Sequence, residues 1–457
     1  MKKLTMEQTA AAINGRVLCG NSENIVSRVS RDSRDVDGNT LFFALVGANR
    51  DAHEFIGDVT ESGCMNIVIS ESDALESVKD KNVTAILVDD TTKALQRLAA
   101  WYIRELDINV IGVTGSVGKT TTKDLLNAAC SVKYKTGCTK GNYNNHIGLP
   151  LTVLSFEEDT EIGILEMGMD KYGEIDFLAD LARPHIAVIT CIGSAHMEFF
   201  GSRENIMKAK MEITNYLSPS DILVISRGED LLRPENIHGE YHLISSGEEE
   251  DNDYIVSDIT DNGAAGMEFD LRNGQTVQHF SIPAAGRHNV FNAAAAAAAA
   301  CQAGLTMEQA SRGMAGAQIT GNRLSFRKNE KAGLEIIDDT YNASPEAMRA
   351  AIDQLMAVPA ERRVAILGDM FELGESSEQI HENIGKYAAE KGVDLVLGVG
   401  ELGSLIAASA GERGIAFTDK TKLEKELGTY IRPGDTVLVK ASHGMALSET
   451  VGILMKL

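Results

Sequence analysis

No CxxC pair occurs in this chain, and its six cysteines (Cys19, Cys64, Cys130, Cys138, Cys191 and Cys301) are spread over 457 residues. That density excludes a disulfide scaffold, so reduced thiols and a cytoplasmic location are expected. Lys2 and Lys3 are not followed by an apolar segment, because Thr5, Glu7, Gln8 and Thr9 interrupt it, and no secretory leader is expected. The longest apolar run, Ala293 to Cys301, falls far short of the ~20 residues of a membrane span. Basic residues are also scarce: 43 Lys and Arg against 66 Asp and Glu leave a net charge of −23. Such a surface repels a nucleic-acid backbone, so any bound phosphate must sit in a local pocket that overrides the global field. No internal repeat or low-complexity tail occurs.

The remaining composition, 44% hydrophobic and 24% charged, is that of an ordinary globular protein. The length suggests roughly three domains. Short β-rich runs alternate with helical patterns almost throughout, which predicts α/β architecture with parallel sheets. Three blocks emerge: 1–106, 107–318 and 319–457. The first holds the strands TLFFALV (Thr40 to Val46), MNIVIS (Met65 to Ser70) and TAILVD (Thr84 to Asp89). The second begins with INVIGVT (Ile108 to Thr114) and continues with IGILEM, HIAVITCI and DILVI. Its segment from Tyr241 to Pro283 suggests an added antiparallel sheet. The alanine run in Asn292 to Ala303 then predicts a helix that another element can approach closely. The third block reads as a doubly wound domain, with strands near Glu335 to Asp338, Val364 to Gly368, Leu395 to Gly398 and Thr436 to Lys440.

The strongest chemical signal is Gly112-Val-Thr114-Gly115-Ser116-Val117-Gly118-Lys119-Thr120-Thr121, between a strand and a helix. A glycine loop there aims backbone N–H groups and a helix N-terminus at phosphate. Lys119 would reach the terminal phosphates and the Thr120 hydroxyl would hold Mg²⁺. The strict P-loop pattern wants glycine where this chain has Val113, so the loop is a variant. The bland alternative is a glycine turn with an incidental Gly-Lys-Thr.

Glu166 ends the strand IGILE, where a carboxylate at the C-terminal edge of a parallel sheet is placed to ligate metal. The competing reading is a solvated strand-end acid. His196 leaves the same sheet edge and is either a ligand or a structural histidine. On a helix from about Arg203 to Leu217, Ile206, Lys210, Ile213 and Leu217 share one stripe, whereas Lys208 faces away. A lysine on the apolar side either finds an anion, changes its charge or snorkels to the edge. In the third block, Asp339-Thr-Tyr341-Asn342-Ala-Ser344-Pro345 is a strand-end turn or simply a capped helix start. Arg323, in Gly321-Asn322-Arg323, can swing onto a nucleotide phosphate or serve as a surface pair.

Taken together, these residues resemble the Mur ligases of peptidoglycan synthesis. The resemblance rests on Thr114-Gly115-x-x-Gly118-Lys119-Thr120, Glu166-Met-Gly168, His196 and Gly286-Arg-His288-Asn289-x-x-Asn292. Further stretches carry it: Gly141 to Pro150, Asp339 to Pro345, Leu367 to Gly374, Asp32-Ser33-Arg34 and Phe42 to Gly47. It spans essentially the whole chain. Within the family the likeness is greatest to members that add D-alanyl-D-alanine. It implies a UDP-sugar-binding domain (1–106), a central ATP-binding domain (107–318) and a C-terminal Rossmann-like domain (319–457). Ser33 and Arg34 would touch the UDP-N-acetylmuramoyl-tripeptide, with Asn145 and His146 near its reactive end. Asn289 and Asn292 would hold adenine, Arg323 the γ-phosphate and Asp339 the ribose region. The family's carbamylated lysine falls at Lys210, where it would join Thr120, Glu166 and His196 at Mg²⁺. The implied reaction activates the tripeptide carboxylate with ATP as an acyl phosphate, which the D-alanyl-D-alanine amine then attacks. A monomer with no nucleic-acid or membrane partner is expected. Two departures stand out: Lys440-Ala441-Ser442-His443 replaces an expected Lys-Gly-Ser-Arg, and His146 stands where an acid is common. Competing readings are another Mur ligase, a folylpolyglutamate synthase or a P-loop NTPase switch.

Overall fold

A computed structural model describes residues 1–227, 230–321 and 323–457. The chain divides into two compact units. The first comprises Met1–Gly112, Tyr134–Met169 and Gly173–His185; the second comprises Val113–Lys133, Asp170–Tyr172 and Ile186–Leu457.

In the first unit a five-stranded sheet runs in the order Arg16–Cys19, Thr84–Leu87, Asn66–Ile69, Thr40–Phe43, Arg28–Ser30. Only Arg16–Cys19 is antiparallel to its neighbour. The near-continuous apolar strands are buried on both faces, as parallel strands must be; Phe42, Ile67 and Ile69 pack with Ile56 and Val59. Helix Thr91–Leu106 begins where the Asp90 carboxylate accepts from Lys93 N, and it buries Leu95, Leu98 and Tyr102. The Tyr102 hydroxyl, fully buried, donates to Phe156 O at 2.9 Å. Strand Ile162–Glu166, also in this unit, pairs in parallel with Thr136–Cys138.

In the second unit Ile186–Ile189, Ile222–Ser226, His242–Gly247 and Tyr254–Asp261 run parallel in that order. Met267–Asn273 and Thr276–Ile282 then close an antiparallel meander. Antiparallel pairing therefore starts later than the composition from Tyr241 suggests. The alanine helix is longer than its alanines: it spans Arg287–Gln302, starting after Gly286. All eight residues Ala293 to Ala300 are fully buried, and the bare face packs on helix Lys119–Cys130 and the sheet. Helix Arg203–Met211 is shorter than expected; Ile213 lies on a following 3-10 turn and Leu217 beyond it.

A six-stranded sheet completes this unit, in the order Ser325–Asn329, Leu334–Asp338, Asp435–Lys440, Arg362–Gly368, Leu395–Val399, Gly414–Phe417. It is parallel except for Ser325–Asn329. Apolar layers cover both faces, the doubly wound arrangement. The two edge strands escape sequence periodicity: one carries Arg327 and Lys328, and the other has only four residues. Ser344 caps helix Pro345–Ala357 through Ala347 N, with Pro345 at its first position, as its sequence predicts.

Candidate active site

Two glycines make the phosphate loop. A Cβ on Gly115 would lie 1.9 Å from Thr190 Oγ1, and one on Gly118, at φ 88°, would lie 2.3 Å from Asn292 Oδ1. The loop is braced from the end of the neighbouring strand. Thr190 Oγ1 donates to Val117 O at 2.5 Å, Ser116 N donates to Cys191 O at 2.9 Å, and Val117 N donates to Cys191 Sγ at 3.3 Å. Lys119, whose helix starts at this residue, curls back to donate to Gly115 O at 2.7 Å. Its ammonium therefore stands over the loop where a phosphate group would bring negative charge.

Arg323 arrives from 203 residues away: its Nη2 donates to Thr120 Oγ1 at 3.1 Å. Its guanidinium lies over the Tyr341 ring at 4.1 Å, and its buried Nε has no partner among the described residues. Asn322 of the same run lies outside the described residues. The Ser116 hydroxyl is likewise buried and unpartnered, so the loop retains unmet donors of the kind a polyphosphate satisfies.

His196 adopts a left-handed backbone, φ 65°, at the start of a short helix. Its Nδ1 lies 2.6 Å from Glu372 Oε2 and 3.6 Å from Asp170 Oδ1. Burial depresses the imidazole pKa despite Glu372, and Lys119 and Lys210 depress it further. A neutral ring donating from Nδ1 to the carboxylate leaves Nε2 as its lone-pair nitrogen, the arrangement a metal-binding histidine uses. Lys210 is 2% exposed, and no carboxylate lies within ion-pair distance of it among the described residues. Burial, followed by the neighbouring Lys119 charge, drives its pKa well below the usual lysine range. Lys208 is exposed.

On the first unit, Glu166 is 2% exposed at the end of its strand. Its Oε1 accepts from Asn144 Nδ2 at 2.8 Å, while Oε2 is buried without a partner among the described residues. A half-satisfied buried carboxylate of this kind suits a cation or a ligand donor.

Comparison with known proteins now decides the family. Residues 113–300 match the Mur ligase middle domain, and residues 322–443 match the Mur ligase, glutamate ligase domain. The UDP-N-acetylmuramoyl-tripeptide–D-alanyl-D-alanine ligase of Bacillus subtilis (strain 168) is 40% identical over 463 aligned positions, covering 100% of this chain and 99% of the relative.

The chain is a Mur ligase.

Solved structures agree. MurF from Acinetobacter baumannii superposes with a TM-score of 0.91 at 31% identity, covering 100% of both chains. MurF ligase from Thermotoga maritima in complex with ADP gives a TM-score of 0.81 at 30% identity, covering 94% of this chain and 97% of that one. The α/β architecture is thus that of the three-domain Mur ligases, which are ATP-dependent ligases.

In this Mur ligase the second unit holds Lys119, Thr120, Thr121, His196, Lys210, Asn289, Asn292, Arg323 and Asp339. Thr120 and Arg323 meet directly, and the charges of Lys119 and Lys210 both bear on His196. Other expected residues are already engaged within the protein. Asn289 and Asn292 are buried and bonded to each other at 2.9 Å, and Asn289 also donates to Ala285 O. Asp339 accepts from Leu324 N at 3.2 Å and pairs with Lys440 at 2.6 Å. His443 is exposed, its ring 6.0 Å from that of Tyr341.

Ser33, Arg34, Asn145, His146 and Glu166 belong to the first unit. Arg34 has an 87% exposed side chain, and its bidentate bond holds the Asp32 pKa down at about 2. Asn145 Oδ1 accepts from Gly148 N at 2.9 Å, and exposed His146 lends its carbonyl to Gln96. Sequence reasoning missed Asn144, Thr190, Cys191, Glu346 and Glu372. Asn144 and Glu372 lie inside family stretches but carried no individual signal; the other three act only through long-range contacts.

Proposed function

We propose that this Mur ligase joins D-alanyl-D-alanine to the terminal carboxylate of UDP-N-acetylmuramoyl-tripeptide, in the cytoplasm, releasing ADP and phosphate during peptidoglycan precursor synthesis. The full-length 40% identity to the Bacillus subtilis ligase of that name carries this reading. The braced phosphate loop supports it independently. Lys119, whose ammonium lies over the loop, would meet the charge that builds on the transferring phosphoryl group, and Arg323 reaches Thr120 of the same loop. We assign 1–106 to the UDP-sugar, 107–318 to ATP and 319–457 to the C-terminal domain, a division supported by the five-stranded sheet lying within the first range and the six-stranded sheet within the last.

Thr120, His196 and a carbamylated Lys210, all on the second unit, would hold Mg²⁺. Glu166, on the first unit, keeps an Oε2 without a partner among the described residues, the kind of acceptor a cation satisfies. Among the described residues no group of three His, Cys, Asp or Glu forms a preassembled metal cage. Bound Mg²⁺ would offset phosphate charge. A carbamate at Lys210 would turn a buried cation into an anion. Ser33 and Arg34 would contact the UDP-muramoyl substrate, and Asn145 and His146 would lie near its reactive end. Asn289 and Asn292 would back the adenine site, with Asp339 near the ribose.

The deciding experiment measures phosphate release from ATP with each UDP-muramoyl tripeptide, with and without the dipeptide. Release that depends on both the tripeptide and D-alanyl-D-alanine is expected. Release with a single amino acid or glutamate instead would move the chain to a sibling ligase. Release with no amine would indicate an NTPase switch. No helix among the described residues is long and apolar enough to cross a membrane.

A further inference from the structure

The loop after strand Ile186–Ile189 has three tasks between Thr190 and His196. Thr190 and Cys191 brace the phosphate loop, and His196 feels the charges of Lys119 and Lys210. Between them, Gly193 and Ser194 meet a carboxylate from 152 residues away. Glu346, in the first turn of helix Pro345–Ala357, accepts at Oε1 from Ser194 N at 3.0 Å and from Ser194 Oγ at 2.6 Å. Glycine at 193 makes room for this carboxylate, since a Cβ there would lie 3.0 Å from Glu346 Cδ and 3.1 Å from Oε2. Oε2 itself is buried and has no partner among the described residues.

Two donors saturate one carboxylate oxygen and none reaches the other. Leaving a buried acceptor of a charged group unmet is costly. The position narrows what would meet it. The carboxylate rests on the short loop that ties the phosphate loop to His196, and the ligation proposed above requires a second substrate that arrives with a positive charge. A primary ammonium is compact, carries three donors and forms a strong charge-assisted hydrogen bond with a carboxylate.

We propose that Glu346 Oε2 receives the ammonium of the incoming D-alanyl-D-alanine, making Glu346 a substrate-binding residue that selects and orients the amine. This assignment rests on the function proposed above. Glu346→Gln tests it, because the amide oxygen still accepts from Ser194 while a nitrogen donor replaces Oε2 and opposes an ammonium. The expected result is a rise of about 10-fold or more in KM for D-alanyl-D-alanine, with KM for ATP and the unfolding midpoint little changed. The ratio of dipeptide ligation to trapping by hydroxylamine, an amine that is uncharged at neutral pH, should fall by a similar factor.

A wild-type measurement needs no variant to fold. D-alanyl-D-alanine should bind at least about 10-fold tighter than D-lactyl-D-alanine, in which a hydroxyl replaces the ammonium. Equal binding of the two by the wild type would overturn the assignment. So would an unchanged dipeptide KM in Glu346→Gln, or parallel losses in both KM values and in stability, which mark a mere strut. A wild type without dipeptide-dependent phosphate release defeats the functional reading itself. Dipeptide dependence with an indifferent Glu346→Gln defeats only the role of Glu346.

Discussion

Lys123 and Lys210 are equally buried, each 2% exposed, and they solve the same problem in opposite ways. Lys123, on the helix behind the phosphate loop, has Asp124 at 2.5 Å, and that carboxylate also accepts from Thr320 N and Oγ1 at 2.7 Å. Lys440 is handled the same way, with Asp339 at 2.6 Å. Lys210 has no such carboxylate within ion-pair distance among the described residues; burial and then the cation of Lys119 push its pKa down, with only weaker opposition from Cys191 and Asp170. A buried ammonium without a counter-charge is too costly to persist, so it must lose its proton or acquire an anion. Where the fold supplies the anion, the lysine is structural. Where it withholds one, the lysine is open to chemistry, which is the physical case for a carbamate at Lys210.

The largest effect is expected at Lys119, the lysine proposed to contact the phosphates. Lys119→Ala should lower ligation on the order of 10³-fold with an unchanged melting curve, because it removes a phosphate clamp and no packing. Near wild-type turnover in a folded variant would remove the loop from the active site.

Lys210→Ala should lose on the order of 10²-fold in activity. Formate, acetate or bicarbonate should partly restore it by refilling the missing anion. Lys208→Ala, an exposed change, should do little. Mass spectrometry at neutral pH checks the modification directly, and an unmodified Lys210 in the active nucleotide complex would break the comparison. Acid destroys a carbamate, so acidified samples are uninformative.

Lys123→Met should show the opposite profile: about 3–5 kcal/mol of stability lost in urea unfolding, because Asp124 is left buried without its cation, and no rescue by carboxylates. Rescue of Lys123→Met, or its absence for Lys210→Ala, would invert the two assignments.

His288 illustrates a third solution, staying neutral. Burial lowers its pKa to about 4, against an ordinary value of 6.5, with Asp339 opposing and Lys440 adding to the shift. Between those two values the unfolded chain binds a proton that the folded chain refuses. Stability from this group is therefore complete above pH 6.5 and declines as pH falls toward 4. The loss should be on the order of 3 kcal/mol. His288→Gln should flatten the slope of unfolding free energy across that window; an unaltered slope would show that His288 titrates normally.

Much of this was legible along the chain. The phosphate loop announces itself because its glycines, lysine and threonine are contiguous, and Gly115 and Gly118 are required by backbone approach. The alanine helix was legible from propensity, although it begins earlier, at Arg287, where Gly286 ends the preceding extended segment. The stripe that placed Lys210 inside was read over a helix longer than the real one. It still located Lys210, because Ile206 and Lys210 both lie within the α-helical part. The edge strands Ser325–Asn329 and Gly414–Phe417 were not legible: one is too polar to show apolar periodicity, the other too short.

Along the chain alone, the central strands, the nucleotide loop and the family were legible, because each rests on local spacing or on ordered motifs along the whole chain. Which polar groups end up satisfied was decided only by the tertiary structure. Glu372 reaches His196 across 176 residues and Glu346 reaches Ser194 across 152. Asn144 takes one oxygen of Glu166 and leaves the other. Periodicity reports which face of an element is apolar. It carries no information on which distant donor meets which acceptor, and those pairings determine where an unmet charge remains to bind a substrate.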